Sequence, residues 1–418
     1  MLPLRSRSTL SSVLLLFLAL ATAPDACGAS AGAVPLIRVA LVRDAAAVAL
    51  GCDREYSIGR HHAGLRPTSA RGVWKLRATD NGVELLDDRG SRRGSTADTL
   101  FVASTDPERS PLQVDGRAYR GELLIWSRPG GLCVVNVVDL ESYLKGVLPI
   151  EMGPQPPERR AALEAQAVAA RSYTMATMGR WRAEGFDLVA TVDDQVYSGL
   201  SAEKPACTDA IEATRGVLAQ FGGAPIHAYY SSTCGGSTAS PVDVWGQKEV
   251  GYLRPVADRA EGVEDDFCDA SPKHQWEETW KLSELDGMLD ANLSRVRKGW
   301  KRSASGDLRH VRLVERFACG RAAILRLEFT KGSVDLRGDE IRWVLRRPGG
   351  KQGLNSCRLL EVEVDKGGRA PTLRVRGQGY GHGVGMCQYG AMGMASAGRD
   401  FRSILGFYYP GISLDQRY

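Results

Sequence analysis

The sequence has no Cys-x-x-Cys pair, no apolar run long enough to span a membrane and no marked excess of either charge. Its nine cysteines, at 27, 52, 133, 207, 234, 268, 319, 357 and 387, are widely spaced. That spacing argues against a zinc ribbon or a thioredoxin-type redox pair and suits structural disulfides in an exported chain. Cys234 with Cys268 and Cys319 with Cys357 are the expected pairs, because each joins adjoining segments. With 54 basic and 49 acidic residues the net charge is +5, so the surface is of mixed sign and no nucleic-acid partner is expected. Also missing are a Gly-x-Ser-x-Gly elbow, a His-Glu-x-x-His helix and a Gly-x-x-x-x-Gly-Lys-Ser/Thr loop, the usual anchors of serine hydrolases, zincins and P-loop enzymes.

What is present begins with a leader. Arg5 and Arg7 precede the apolar run Val13 to Leu20 and then small residues at Ala21, Ala23, Ala26 and Ala29. This is the pattern of a secretory signal peptide over residues 1–30, placing the mature protein in the periplasm or outside the cell, in the envelope. The run is shorter than the roughly 20 residues that span a bilayer, so no stable membrane span is expected after cleavage. Pro24-Asp25-Ala26 is a poor context for lipidation of Cys27.

Turn signals divide the rest, whose length suits two or three domains. Residues 34–118 form a β-rich N-terminal segment that opens with a strand at Leu36 to Val42. Arg128-Pro129-Gly130-Gly131 is strong turn chemistry and predicts a hairpin between 122–126 and 132–138. Leu140, Tyr143, Leu144 and Val147 carry the chain on to Pro149-Ile150-Glu151. A helix is expected from about Pro157-Glu158, with Leu163, Ala167, Ala170 and Thr174 on a narrow small-residue face. Further expectations are a helix near 282–293, strands at 323–329 and 359–364, a solvated loop at 295–307 and a short helix near 401–407. The fold class is therefore α+β: a β-rich domain with a long helix after Glu151, plus the N-terminal β-rich segment.

Glu151 is the carboxylate best placed for chemistry. It emerges from an apolar run into Gly153-Pro154, where partial desolvation would raise its pKa and let it donate a proton near neutral pH. The alternate glycines of Gly377 to Gly385 suit a backbone that bends sharply or packs closely, and spacing alone favours a tight turn array over a binding loop. His227 and Cys234 are too few to define a metal site.

Several separated segments, taken in order, resemble the SpoIID/LytB family of lytic transglycosylases and amidase enhancers. They include Tyr119-Arg120-Gly121-Glu122-Leu123, Asn136 through Met152, Ala165 through Tyr173, Thr233-Cys234-Gly235-Gly236-Ser237-Thr238, Asp243-Val244-Trp245-Gly246, Gly379 through Ala391, and Phe407-Tyr408-Tyr409-Pro410-Gly411. The resemblance spans essentially the mature chain and implies a catalytic domain over 119–418, with 258–307 as a less family-like insertion. It also implies cleavage of peptidoglycan glycan strands between N-acetylmuramic acid and N-acetylglucosamine, giving a 1,6-anhydro product, with Glu151 as the single acid/base. Arg171, His382, Gln388 and Tyr389 are the matching polar residues expected to orient sugar or Glu151, with a helix salt bridge the competing role for Arg171. Asp193 and Asp194 are expected in a loop lining the groove. Some relatives bind zinc through His and Cys near the 231–237 loop. This chain has Ser231, Cys234 and Ser237 there, so no cofactor is expected. Two other readings compete: a non-catalytic peptidoglycan-binding module that enhances a cell-wall amidase, and a disulfide-linked secreted structural protein.

Overall fold

The computed structural model describes residues 32–60, 68–367 and 370–418, so the leader and Cys27 lie outside the described residues. About 25% of the chain is helix and 35% strand, spread over several sheets, which is the β-rich α+β architecture expected. The hairpin forms as its turn chemistry dictates: Glu122–Arg128 pairs antiparallel with Gly131–Asp139, Arg128 opposite Gly131 and Ile125 opposite Val134. Gly131–Asp139 also pairs on its other edge with Leu36–Ala45. It is therefore an inner strand of a seven-stranded sheet and is buried along most of its length, Asn136 included. The strand Leu36–Ala45 lies before the expected boundary at 118–119, so both segments contribute to one sheet. A six-stranded sheet built from residues 47–119 closes over the same core.

Asp139 ends the hairpin and caps the next helix, α1 (Leu140–Glu151), by accepting from Ser142 N at 3.0 Å. Leu140, Tyr143, Leu144 and Val147 are fully buried at helical spacing. Burying such side chains stabilises by roughly 1.5–3 kcal/mol each, enough to fix where the helix ends. That helix was not expected from the sequence. Pro149 lies in its last turn, and Glu151 is its final residue.

After a 3-10 turn at Pro157–Arg159 comes α2 (Arg160–Thr177). It is buried on nearly every side, beyond the narrow face expected, and packs against α1, α3 (Pro205–Ala213) and the strand Val217–Phe221. Its small alanines permit that close approach. The chain then forms α4 (Pro241–Trp245) and enters a second hydrophobic core running from Trp276 to Val375. Two three-stranded sheets, α5 (Leu282–Val296), α6 (Arg302–Ser305) and α7 (Glu340–Val344) enclose it. The expected insertion at 258–307 covers only the first part of this unit, and the expected loop at 295–307 contains α6. From the strand Thr372–Gln378 the chain returns to the first core through the glycine loop, α8 (Gln388–Ser396) and α9 (Phe401–Tyr408), both of which pack on α2.

Candidate functional site

The C-terminal end of α1, the loop after α2 and the glycine loop surround a cavity of about 940 Å³. Glu151, Gln195 and Val196 line it together with Tyr173, Tyr229, Tyr230, Trp245 and His382. Because Glu151 terminates α1, its half-buried carboxyl group faces this space at a position set by the buried stripe behind it. Val196 N donates to Oε1 at 3.3 Å. Among the described residues Glu151 makes no ion pair. Burial therefore dominates, and its pKa is raised, with the Val196 hydrogen bond partly opposing the rise.

The other acids in the loop are differently placed. Asp194 is held by Arg180 Nη1, Trp181 Nε1 and Val189 N, all at 2.9 Å. That set gives Asp194 three donors, one of them the Arg180 guanidinium. Asp193 is exposed and accepts from Thr191 Oγ1. Both line the cavity, and only Glu151 combines burial with a carboxylate free of a cation.

The opposite wall is aromatic. Tyr229 meets Tyr173 at 5.8 Å and Trp245 at 5.0 Å between ring centroids, both edge to face, and Trp245 lies 5.2 Å from His382. Rings of this kind present apolar faces with polar edges. The Tyr230 hydroxyl donates to Gln195 Oε1 at 3.0 Å, and Gln195 Nε2 donates to Thr174 Oγ1 at 2.8 Å, so this wall is pinned to α2.

The glycine loop supplies the floor. Gly379, Gly381, Gly383 and Gly385 all have positive φ. A Cβ on Gly385 would fall 2.0 Å from the Tyr229 carbonyl, and one on Gly379 would fall 2.7 Å from that of Thr233. The loop thus packs against residues 229–239, as alternate glycines suggest.

The profile of the Stage II sporulation protein (SpoIID) family matches residues 128–221. Stage II sporulation protein D of Bacillus subtilis is 30% identical over 298 residues, covering 68% of this chain and 76% of that protein. The chain belongs to the SpoIID family. An uncharacterized protein of Brachyspira hyodysenteriae is 33% identical over 302 residues, covering 72% of this chain and 73% of that one. The amidase enhancer of B. subtilis is 28% identical over 306 residues, covering 65% of this chain and 40% of its own length. Residues 268–385, which contain most of the second core, match a domain of unknown function (DUF8618).

Of the residues that the SpoIID resemblance pointed to, Glu151 and His382 share the cavity. His382 Nδ1 accepts from Val384 N at 3.0 Å, and the ring also hydrogen bonds the Tyr230 backbone. Burial pushes its pKa down to about 4, so it stands as a neutral, fixed wall. Gln388 is behind the cavity, where Nε2 donates to the Glu151 backbone carbonyl at 3.1 Å. Tyr389 does not line the cavity; its ring packs on the first core and its N–H donates to Ser232 O. Arg171 requires correction. It is fully buried, with Nε and Nη2 each 2.8 Å from the Glu141 carboxylate, and its remaining donors reach Val217 O and Ile211 O. No part of it reaches the cavity, and it is an internal cross-link of this SpoIID fold. Sequence reasoning named neither Tyr229, Gln195 nor Trp245 as a site residue. Trp245 lies in the matched Asp243-Val244-Trp245-Gly246 segment, which was the available signal.

The disulfides expected at Cys234–Cys268 and Cys319–Cys357 are not formed: these four are free thiols, and the Sγ atoms of Cys234 and Cys268 are 3.7 Å apart. Ser231 Oγ accepts from Gly383 N, and Ser237 Oγ donates to Thr238 O. With Ser231 where many relatives have His, and with both loop hydroxyls engaged, the 231–237 loop offers only the Cys234 thiol and does not by itself fit the zinc arrangement of the relatives described above. Among the described residues no helix is long and apolar enough to cross a membrane.

Proposed function

We propose that the chain is a cell-envelope lytic transglycosylase that cleaves peptidoglycan glycan strands with Glu151 as its only acid/base. The observation that carries this is the contrast between the carboxylates: Glu151 is partly desolvated and unpaired, while Asp194 is locked in an ion pair and Asp193 is solvated. Ordinary glycosidases need a second carboxylate as nucleophile or to activate water. Intramolecular attack does not.

In the proposed reaction, protonated Glu151 gives its proton to the glycosidic oxygen between N-acetylmuramic acid and N-acetylglucosamine. The C1–O bond breaks and the N-acetylglucosamine side leaves with a hydroxyl. The muramyl C6 oxygen then bonds to C1 while the Glu151 carboxylate takes the C6 hydroxyl proton. Acid is regenerated, a 1,6-anhydro ring forms, and no water is consumed. Desolvation favours the protonated acid that starts the reaction, and the aromatic wall suits the apolar faces of sugar rings.

Digestion of peptide-free glycan strands, followed by mass spectrometry of the ends, tests the proposal. Wild type is expected to release anhydromuramyl ends and Glu151→Gln to lose at least about a hundredfold of that rate. Undiminished release by Glu151→Gln would refute it.

The relative named as an amidase enhancer favours a second reading: glycan binding that stimulates a partner cell-wall amidase. Stimulation of an amidase that survives Glu151→Gln, without anhydro ends from wild type, would select it.

A further inference from the structure

Beside the glycine loop, four potential ligands converge that the chemistry above does not use. One ligand atom each from Cys234, Asp258, Cys268 and Cys387 lies within 4.8 Å of the others, and all four residues are buried. They come from separate segments: the loop before α4, the approach to the second core, and the start of α8. No local spacing announces them.

We propose that these four residues bind a zinc-class divalent cation in a closed, tetrahedral, structural site. Three observations converge on it. Cys234 Sγ and Cys268 Sγ are 3.7 Å apart. A disulfide needs about 2.05 Å. Two thiolates on one tetrahedral zinc, each at about 2.3 Å, stand roughly 3.8 Å apart. Second, Asp258 is 0% exposed and its Oδ2 finds no hydrogen-bond partner, whereas Oδ1 accepts from the Tyr408 hydroxyl at 2.5 Å. A buried carboxylate oxygen without a donor is costly unless a cation meets it. Third, Cys387 Sγ accepts backbone N–H groups from Cys234 at 3.2 Å and Gly390 at 3.3 Å. Such donors, with the start of α8 behind Cys387, fix the position of its sulfur as an outer shell does for a metal ligand.

Gly390 completes the enclosure, since a Cβ there would fall 2.5 Å from Asp258 Oδ1. Three soft sulfur ligands with one carboxylate favour zinc over magnesium or calcium. The set takes Cys234 from the 231–237 loop but neither Ser231 nor Ser237, draws its other three ligands from outside that loop, and does not depend on the reaction catalysed. Its consequence for the cavity is mechanical: the ion would clamp Cys387, whose neighbour Gln388 holds the Glu151 carbonyl.

The test is metal analysis of the full chain, expressed with zinc and purified without chelator. About one zinc per chain is expected to survive dialysis. Replacement by cobalt is expected to give the intense visible bands and thiolate charge-transfer absorption of a tetrahedral sulfur site. Asp258→Ala and Cys268→Ser are each expected to lower retention by about tenfold or more, while Cys319→Ser leaves it unchanged. Less than about a tenth of an equivalent in cooperatively folded wild type would overturn the proposal. So would a peptide map showing a Cys234–Cys268 disulfide. If the ligand variants do not fold, the zinc content and cobalt spectrum of wild type decide alone.

Discussion

Gln388 Nε2 donates to the backbone carbonyl of Glu151 at 3.1 Å, joining the end of α1 to the start of α8 across 237 residues of sequence. The last turn of a helix leaves carbonyls without intrahelical partners, and this bond satisfies one of them in a buried place. Gln388→Ala is expected to lower kcat about tenfold with little change in KM, because displacing an acid costs rate more than it costs binding. Gln388→Glu, which keeps the length of the side chain but removes the donor, is expected not to rescue it. Steady-state kinetics on soluble glycan fragments checks both, and a change in KM alone would remove Gln388 from a positioning role.

The raised pKa of Glu151 fixes the sign of the pH dependence. Burial favours the protonated carboxyl, the form that starts the reaction, so activity is fullest below that pKa and falls as pH rises through it. The descending limb of kcat/KM is therefore expected above the ordinary glutamate value of about 4.3. His382 is neutral above about pH 4, so it adds no limb to the profile above that value. A bell-shaped kcat/KM profile with its acidic limb above that value would show that another carboxylate takes part.

Arg171 takes the salt-bridge role rather than the site role. Its place in the matched Ala165 to Tyr173 segment pointed to sugar or Glu151, yet it pairs with Glu141 at 0% exposure, and the Tyr418 hydroxyl donates to the same carboxylate. Removing one partner of a buried pair strands the other charge. Arg171→Met is therefore expected to destabilise by about 3–5 kcal/mol, with KM unchanged wherever the variant is folded. Thermal or urea denaturation beside kinetics separates the two effects, and a raised KM in stable protein would restore a binding role.

Trp245 is expected to carry much of the sugar contact. It is half-buried between Tyr229 and His382 on the cavity wall, and its ring nitrogen hydrogen bonds to none of the described residues. Trp245→Ala is expected to raise KM about tenfold while kcat changes little, in line with the roughly 1–2 kcal/mol of one aromatic platform. A loss confined to kcat would argue that the indole instead positions reacting groups.

Local signals made several of these elements legible in advance. Pro129-Gly130-Gly131 located the hairpin, and Pro157-Glu158 marked the turn that opens α2. The alternate glycines of 379–385 announced close packing of backbone on backbone. The helix α1 was not expected: Leu140, Tyr143, Leu144 and Val147 recur at helical spacing, but Pro149 near its end and the strand before it obscured the 3.6-residue period. What no local pattern could reveal depends on contacts between distant segments. Glu141 neutralises Arg171 from 30 residues away, and Asp258 meets Tyr408 across 150. The second core gathers strands and helices from 275 to 378, so its extent beyond the expected insertion follows from tertiary packing.

Cleavage of peptide-free glycan strands in water enriched in oxygen-18 separates intramolecular attack from hydrolysis in one experiment. A single-carboxylate reaction at Glu151 is expected to give muramyl ends lighter by one water than hydrolytic ends, with no heavy oxygen, and Glu151→Gln is expected to abolish them. Reducing ends carrying oxygen-18 would contradict it, because water would then have taken the place of the C6 hydroxyl.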